Sequence, residues 1–269
     1  MCTTCGTQFT PSEQPPAACP ICQDERQYVG YNGQQWTTLD ALRADRQTVI
    51  REQEPGLTGI GTEPSFAINQ RALLVQAPSG NILWDCISLI DDAAIAAVRA
   101  LGGISAIAIS HPHYYSSMVE WSRAFGDVPI YLHANDRQWV MRPDPAIVFW
   151  EGDTHTLGAG LTLIRCGGHF SGGTVLHWAA GANGRGALLS GDIIQVAADR
   201  RYVSFMYSYP NLIPLPASSV EQIVRSVEPY SFDRIYGAWF QLVVASDGKA
   251  VVERSAARYL RALEGHFPA

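Results

Sequence analysis

Lysine is almost missing from this chain of 269 residues: Lys249 stands alone beside eighteen arginines. The arginines are scattered and the formal charge is −6, so no basic face exists of the kind that tracks a phosphate backbone. A general nucleic-acid footprint is excluded on that ground. Long apolar runs are missing too. No stretch nears the roughly 18 residues of a membrane span, and the Met1-Cys2-Thr3-Thr4 start has no apolar signal core. No fixed-period repeat and no low-complexity tract interrupts the chain. The expectation is a soluble, cytoplasmic protein without membrane attachment. What is present is an apolar content of 47%, enough for a sizeable core and incompatible with disorder, collagen or a coiled coil.

Six cysteines are unevenly placed. Cys2, Cys5, Cys19 and Cys22 form two C-x-x-C pairs separated by 13 residues, whereas Cys86 and Cys166 stand alone. A C-x-x-C turn points two sulfurs inward, and two such turns complete a tetrahedral four-sulfur site. Gly6 and Pro20 suit the two turns. The pattern resembles a zinc ribbon or, more distantly, a rubredoxin-like knuckle holding iron. Two disulfides or reactive thiols are the alternative. About 30 residues bury too little apolar surface to fold unaided, so a metal would supply folding energy. Residues 1–30 therefore read as a small structural metal module, open to a second role as a contact surface for a protein partner or for the chain itself.

Residues 31–60 read as a linker and first elements, with a short helix signal at Thr38–Arg43 and turn material at Pro55–Gly61. From Phe66 onward strand and helix patterns alternate. Ala72–Ala77 and Asn81–Cys86 read as a hairpin, Asp91–Leu101 as a helix, and Ile104–Ser110 as a buried strand. Met118–Phe125 follows as a helix and Pro129–His133 as a strand. Gly160–Cys166, Thr174–Trp178 and Gly186–Ser190 continue the strands. A helix at Ser219–Val227 precedes the strand Arg234–Tyr236. Such alternation indicates a layered α/β protein.

Four polar residues fall just past apolar strand runs, where α/β sheets place ligands. His111 and His113 follow Ile104–Ser110, and an i, i+2 spacing in extended chain would send both rings to one side. His169 lies in Gly167-Gly168-His169-Phe170-Ser171-Gly172-Gly173, and Asp192 follows Ser190-Gly191. Three imidazoles and a carboxylate suit Zn(II), Fe(II) or Mn(II). His133, His155, His177 and His266 match no motif and read as ordinary residues. Cys86 and Cys166 read as small hydrophobes.

Residues from about 60 to 245 resemble the metallo-β-lactamase superfamily. The likeness rests on Leu83-Trp84-Asp85, the H-x-H at His111 and His113, the G-H-x-x-G at Gly168–Gly172, and Gly191-Asp192. It implies an αββα sandwich over residues 61–269, a first metal held by the three histidines, and Asp192 bridging toward a second. The family's H-x-H-x-D-H motif departs here, because Tyr115 and Ser116 replace its last Asp and His. The late strand ends Tyr236-Gly237-Ala238-Trp239, without the family's histidine. One ion is therefore expected in the sandwich, zinc or iron, beside one structural zinc or iron in the ribbon.

The resulting expectation is a hydrolase acting on an ester, lactone, thioester or amide-type bond of a small molecule. Asp192 would orient water, and Tyr115 would donate to a developing oxyanion. Ser116, Tyr207 and Trp239 are candidate pocket residues, with Trp150 and Tyr209 as further aromatics. A mononuclear iron oxygenase similar to persulfide dioxygenases and a non-catalytic binding protein are the competing readings.

Overall fold

Two β-rich runs on either side of Pro55-Gly56 open the first sheet of the computed structural model, which describes residues 1–266. Gln47–Glu54 and Leu57–Glu63 pair antiparallel, so of the Pro55–Gly61 segment read as turn or linker only Pro55-Gly56 is a hairpin turn and Leu57–Gly61 is strand. Thr38 accepts from the Ala41 N–H and starts the helix Leu39–Asp45 just before it. Contacts divide the chain into two units, Met1–Trp150 and a second beginning at Glu151.

Among the described residues the first unit carries a seven-stranded sheet in chain order. After the hairpin come Ala72–Val75, Ile82–Trp84, Ala106–Ala108, Ile130–His133 and Ile147–Trp150. Pairing is antiparallel as far as Ile82–Trp84 and parallel beyond it. Parallel neighbours need a crossover, and the helices Asp92–Ala100 and Met118–Ala124 supply two of them. Asp91 caps the first by accepting from the Ala94 N–H at 2.7 Å. The second turns Met118, Val119 and Trp121 inward. Because the last strands run parallel, Asp85 and His111 follow strands that end at the same edge.

The second unit holds a six-stranded sheet among the described residues. Its order is Val243–Val244, Arg234–Gly237, Ala187–Gly191, Thr174–Trp178, Leu161–Arg165 and Thr154–Gly158. Leu161–Arg165 and Ala187–Gly191 each lie antiparallel to Thr174–Trp178, so they run the same way and also end at one edge. The helices Ala217–Val227 and Gly248–Leu263 pack together, with Val220, Ile223, Val251 and Val252 in a core shared with Leu188, Ile193 and Ile235. The latter helix was not expected from the sequence, although Val251, Val252, Ser255 and Ala256 carry its inner face.

His177 lies inside Thr174–Trp178, with Nε2 bonded to the Ser231 carbonyl at 2.8 Å. Burial holds its pKa below the ordinary histidine value. The unfolded chain thus takes up a proton that the folded one resists, beginning near pH 6.5 as pH falls. Stability is full above that pH and is lost as pH drops toward the depressed folded value. In urea titrations at about pH 7.5 and 5.5, His177→Gln should lose less stability on acidification than the wild type. An equal loss would assign the acid sensitivity elsewhere.

Candidate metal centres

The first centre is built by two local turns. Cys2 N–H donates to the Thr7 carbonyl and Gly6 N–H to the Cys2 carbonyl, both at 3.0 Å, which folds the first C-x-x-C into a knuckle. Gly6 sits at φ +81°, and a Cβ there would fall 2.4 Å from Ser88 Oγ, so only glycine fits. The second pair spans the single helical turn Pro20–Gln23, with Pro20 at its first position. Gln34 ties the two together, its Nε2 donating to Cys2 Sγ at 3.1 Å and its Oε1 accepting from Cys19 N–H at 3.3 Å.

All four thiols are buried, and their sulfurs lie within 4.8 Å of one another. Cys2 and Cys22 are 3.4 Å apart and Cys5 and Cys19 are 3.7 Å apart. A disulfide needs about 2.05 Å, whereas a tetrahedron with metal–sulfur bonds of about 2.3 Å has edges of about 3.8 Å. The cysteines are free, not disulfide-bonded, and the donor set fits a tetrahedral thiolate-loving ion. Hydrogen bonds among the thiols, those with Cys19 foremost, pull the Cys2 pKa down and push the Cys22 pKa up. The module extends past residue 30: Cys2 bridges to Trp36, and Met1 and Thr37 exchange backbone hydrogen bonds. Ile68, Trp139 and Met141 of the same unit close its apolar side.

Within the first unit, Asp85 prepares the H-x-H segment. It is buried beyond Ile82–Trp84, and its Oδ1 accepts from Ser110 N–H at 2.8 Å, while its own N–H donates to the Ala108 carbonyl. The chain then leaves the sheet at His111 in extended conformation and enters a single 3-10 turn, Pro112–Tyr114. The expected extended i, i+2 arrangement is therefore replaced by a turn, started by the fixed φ of Pro112. His111 and His113 still come together, with ring centroids 5.1 Å apart and both rings buried. Nδ1 of His111 is bonded to Ser110 Oγ at 2.9 Å.

Within the second unit, the loop after Leu161–Arg165 is closed by Cys166 and Gly167 N–H groups, which share the Gly173 carbonyl. Gly168 has φ +78°, and a Cβ would lie 2.8 Å from Ile223 Cδ1 and 2.9 Å from Leu215 Cδ1. Close approach and backbone hand thus both demand glycine before His169. His169 is buried, and its Nδ1 lies 3.1 Å from the Met206 carbonyl. Asp192 is buried just past Ala187–Gly191. Tyr209 donates to the Asp192 main-chain carbonyl at 2.9 Å and sits 5.7 Å, centroid to centroid, from the His169 ring. Burial, reinforced by the Asp192 charge, pushes the Tyr209 pKa well above its usual value, so it remains a phenol.

The other expected site residues divide. Tyr115 and Ser116 are buried against Thr7 and Gln8 of the cysteine module. Burial and the nearby Asp136 carboxylate push the Tyr115 pKa well up. Tyr207 packs on the hydrophobic core of the second unit, and Trp239 is half-buried in the turn after Arg234–Gly237. His133 is an ordinary core residue, edge-on to Trp150 at 4.5 Å. Cys86 and Cys166 are buried, with burial raising the first thiol well above its ordinary range and the second to about 12. Both are unreactive hydrophobes. The sequence reading used Asp85 only as part of the strand-end motif Leu83-Trp84-Asp85, with no supporting role, and did not single out Gln34. Asp85 could have been found from its place at a strand end, but no local pattern marks Gln34.

No protein-family model matches the chain. The uncharacterized protein YmaE of Bacillus subtilis strain 168 is 53% identical over 269 residues, covering 99% of this chain and 97% of YmaE. Among solved structures, VMB-1 superposes with a TM-score of 0.60 at 12% identity, over 81% of this chain and 98% of its own. For the DIM-1 metallo-β-lactamase the TM-score is 0.59 at 11% identity, over 80% and 98%. For the mono-zinc form of the metallo-β-lactamase FIM-1 from Pseudomonas aeruginosa it is 0.58 at 16% identity, over 80% and 96%. Identities this low carry the fold alone. The α/β, metallo-β-lactamase-like fold expected from the sequence is the fold found. The four cysteines are a group that could hold metal, and His111 and His113 in the first unit and His169 in the second each offer a buried imidazole donor.

Two outcomes follow from these geometries. Gly168→Ala should lower the urea-unfolding free energy by about 1–3 kcal/mol, the usual cost of forcing a side chain into a left-handed, crowded position. A change near zero would mean that the loop before His169 yields freely. Cys19→Ser combined with Cys22→Ser should remove one bound metal equivalent from the reduced full chain, measured by elemental analysis. Unchanged metal content would exclude the four sulfurs as its ligands.

Proposed function

The chain belongs to the family of the Bacillus subtilis protein YmaE, and from its metallo-β-lactamase-like fold and its buried histidines we propose a metal-dependent hydrolase with one catalytic ion. His111 and His113 from the first unit and His169 from the second are its proposed ligands, and Asp192 is a further proposed one. The observation that carries this reading is the way the rings are held. Nδ1 of His111 is occupied by Ser110 Oγ and Nδ1 of His169 faces the Met206 carbonyl, which makes Nε2 the ligand nitrogen in both. A His–carbonyl contact of this kind selects the neutral tautomer that binds metal. Imidazole and carboxylate donors suit zinc, and we assign zinc here and in the four-sulfur site.

Bound there, a divalent ion would supply Lewis acidity and would lower the pKa of water toward about 7. Asp192 is the residue we assign to orienting that water and accepting its proton. Tyr209 fixes the Asp192 main chain through the 2.9 Å hydrogen bond and acts as a positioning residue. Tyr115 remains a proposed donor to the developing oxyanion, and it lines a small space with Thr7 and Gln8 of the cysteine module. The proposed substrate is a small molecule with an ester, lactone, thioester or amide-type carbonyl, and Tyr207 and Trp239 remain proposed pocket residues. Residues 1–30 are the proposed structural module. No helix among the described residues is long and apolar enough to cross a membrane. Free thiols at all six cysteines fit a reducing compartment, and we propose the cytoplasm.

Elemental analysis of the full chain should give two zinc equivalents. His111→Ala or His169→Ala should each lose one and keep the cysteine-held ion. Asp192→Asn should retain both and lower kcat by about 10²–10⁴-fold on the best substrate of an ester, lactone and thioester panel. Full zinc content in both histidine variants would overturn the ligand assignment.

A further inference from the structure

Positions 115 and 116 are where the resemblance to metallo-β-lactamases would place a second pair of ligands, and here they serve another purpose. The Gln8 N–H donates to the Ser116 carbonyl at 3.0 Å. Ser116 Oγ accepts from Gln70 Nε2 at 2.9 Å, and the same amide reaches the Cys86 carbonyl at 2.8 Å. Ser116 is held at φ +42°, a left-handed conformation that a serine adopts only under constraint. One residue on, Ser117 Oγ donates to the Ser88 carbonyl at 2.7 Å. Ser88 Oγ in turn donates to the Gly6 carbonyl at 2.9 Å. The loop that follows His113 is therefore tied to residues 6–8 both directly and through Ser88.

The far side of residues 6–8, which form a strap over that loop, is anchored as well. The Gln8 side chain donates to Glu120 Oε1 at 3.3 Å and accepts from Arg142, and Arg142 also pairs with Glu120 at 2.5 Å. Arg142 is buried, so breaking this network leaves a charge without its partners, which is a costly event. The space between Thr7–Gln8 and Tyr115–Ser116 is about 10 Å³, at the limit for one water. The path of the strap depends on the cysteine knuckle, since the Thr7 carbonyl accepts from Cys2 N–H and Thr7 Oγ1 lies 3.4 Å from Cys5 Sγ.

We propose that the cysteine module is a clamp: residues Gly6–Gln8, shaped by the metal-closed knuckle, hold the Tyr115–Ser117 turn and so position His113 and His111 for their own ion. This rests on the reading of those histidines as metal ligands. The two sites are then thermodynamically coupled through the Tyr115–Ser117 turn, and emptying the four-sulfur site weakens the histidine site. Couplings between linked sites run at about 5–150-fold.

The test uses the full chain, titrated with Co(II) and Zn(II) and followed by amide hydrogen exchange over residues 111–118. Ser88→Ala combined with Gln8→Pro leaves the cysteines intact and removes both the Ser88 hydroxyl and the Gln8 N–H that tie the turn to residues 6–8. It should keep the sulfur-held ion, weaken the histidine-held ion at least fivefold, and speed exchange in the 114–118 segment. Cys19→Ser with Cys22→Ser should weaken the histidine site more strongly. If that variant fails to fold, the Ser88/Gln8 variant decides alone. Asp91→Ala removes a helix cap elsewhere in the same unit and controls for loss of general stability: it should leave histidine-site affinity and 114–118 exchange unchanged. Affinity within twofold of wild type and unaltered exchange in the Ser88/Gln8 variant would overturn the clamp. Failure of the histidine reading looks different, because the wild type would then hold no second ion. In that case exchange over 114–118 still decides for or against the strap.

Discussion

Four buried sulfurs within 4.8 Å of one another form the constraint on which the first unit depends. Two unit charges about 4 Å apart at an effective dielectric near 20 interact by about 4 kcal/mol, so ionised thiols cannot share this space without a cation. With an ion, the same repulsion becomes attraction, and a segment with few apolar side chains gains a centre around which to fold. The consequences extend beyond the cysteines. Trp36, Phe9, Ile68, Trp139 and Met141 collect around the cluster, and Gln34 uses both ends of its amide on the knuckles. The N-terminal module is thus part of the first unit's packing, not an appendage on a linker.

Strand direction explains why the candidate ligands occur where they do. Parallel strands leave their carboxyl ends along one edge, and loops at that edge are free to carry chemistry because the strands, not the loops, carry the core. Asp85 and His111 share such an edge in the first unit, as do His169 and Asp192 in the second. Each loop is then fixed by backbone contacts close to the ligand. Asp85 holds Ser110, Gly168 lets the backbone before His169 pass close to Leu215 and Ile223, and Tyr209 holds Asp192. Supporting groups of this kind determine which ring nitrogen is offered.

Much of this was legible because it is local. The spacing of Cys2, Cys5, Cys19 and Cys22 encodes its own turns, and the fold was carried by short motifs at strand ends. Two features were harder. The His111–His113 pairing was legible but its geometry was not, since Pro112 converts extended chain into a 3-10 turn. The helix Gly248–Leu263 went unread although its inner face repeats every three to four residues, because its charged outer positions lower the apolar signal. The strap was not legible at all. Gln8 meets Ser116, Glu120 and Arg142 across more than a hundred residues, and no periodicity or turn chemistry encodes a contact between single polar residues so far apart.

The strap also supplies a physical reason for the altered H-x-H-x-Y-S motif. A residue can coordinate an ion or anchor a neighbouring segment, but the same atoms cannot do both. Ser116 gives its carbonyl to Gln8 and its hydroxyl to Gln70. Tyr115 is buried beside Thr7 and Gln8 of the cysteine module. The positions that could have extended the site toward a second ion are thereby committed to the cysteine module. In the reading proposed here, a single-ion centre is what remains when one metal is moved from the reacting edge of the fold to the support of the loop beside it. The ion in the four-sulfur site then acts on chemistry at a distance, through the stiffness it lends to Gly6–Gln8.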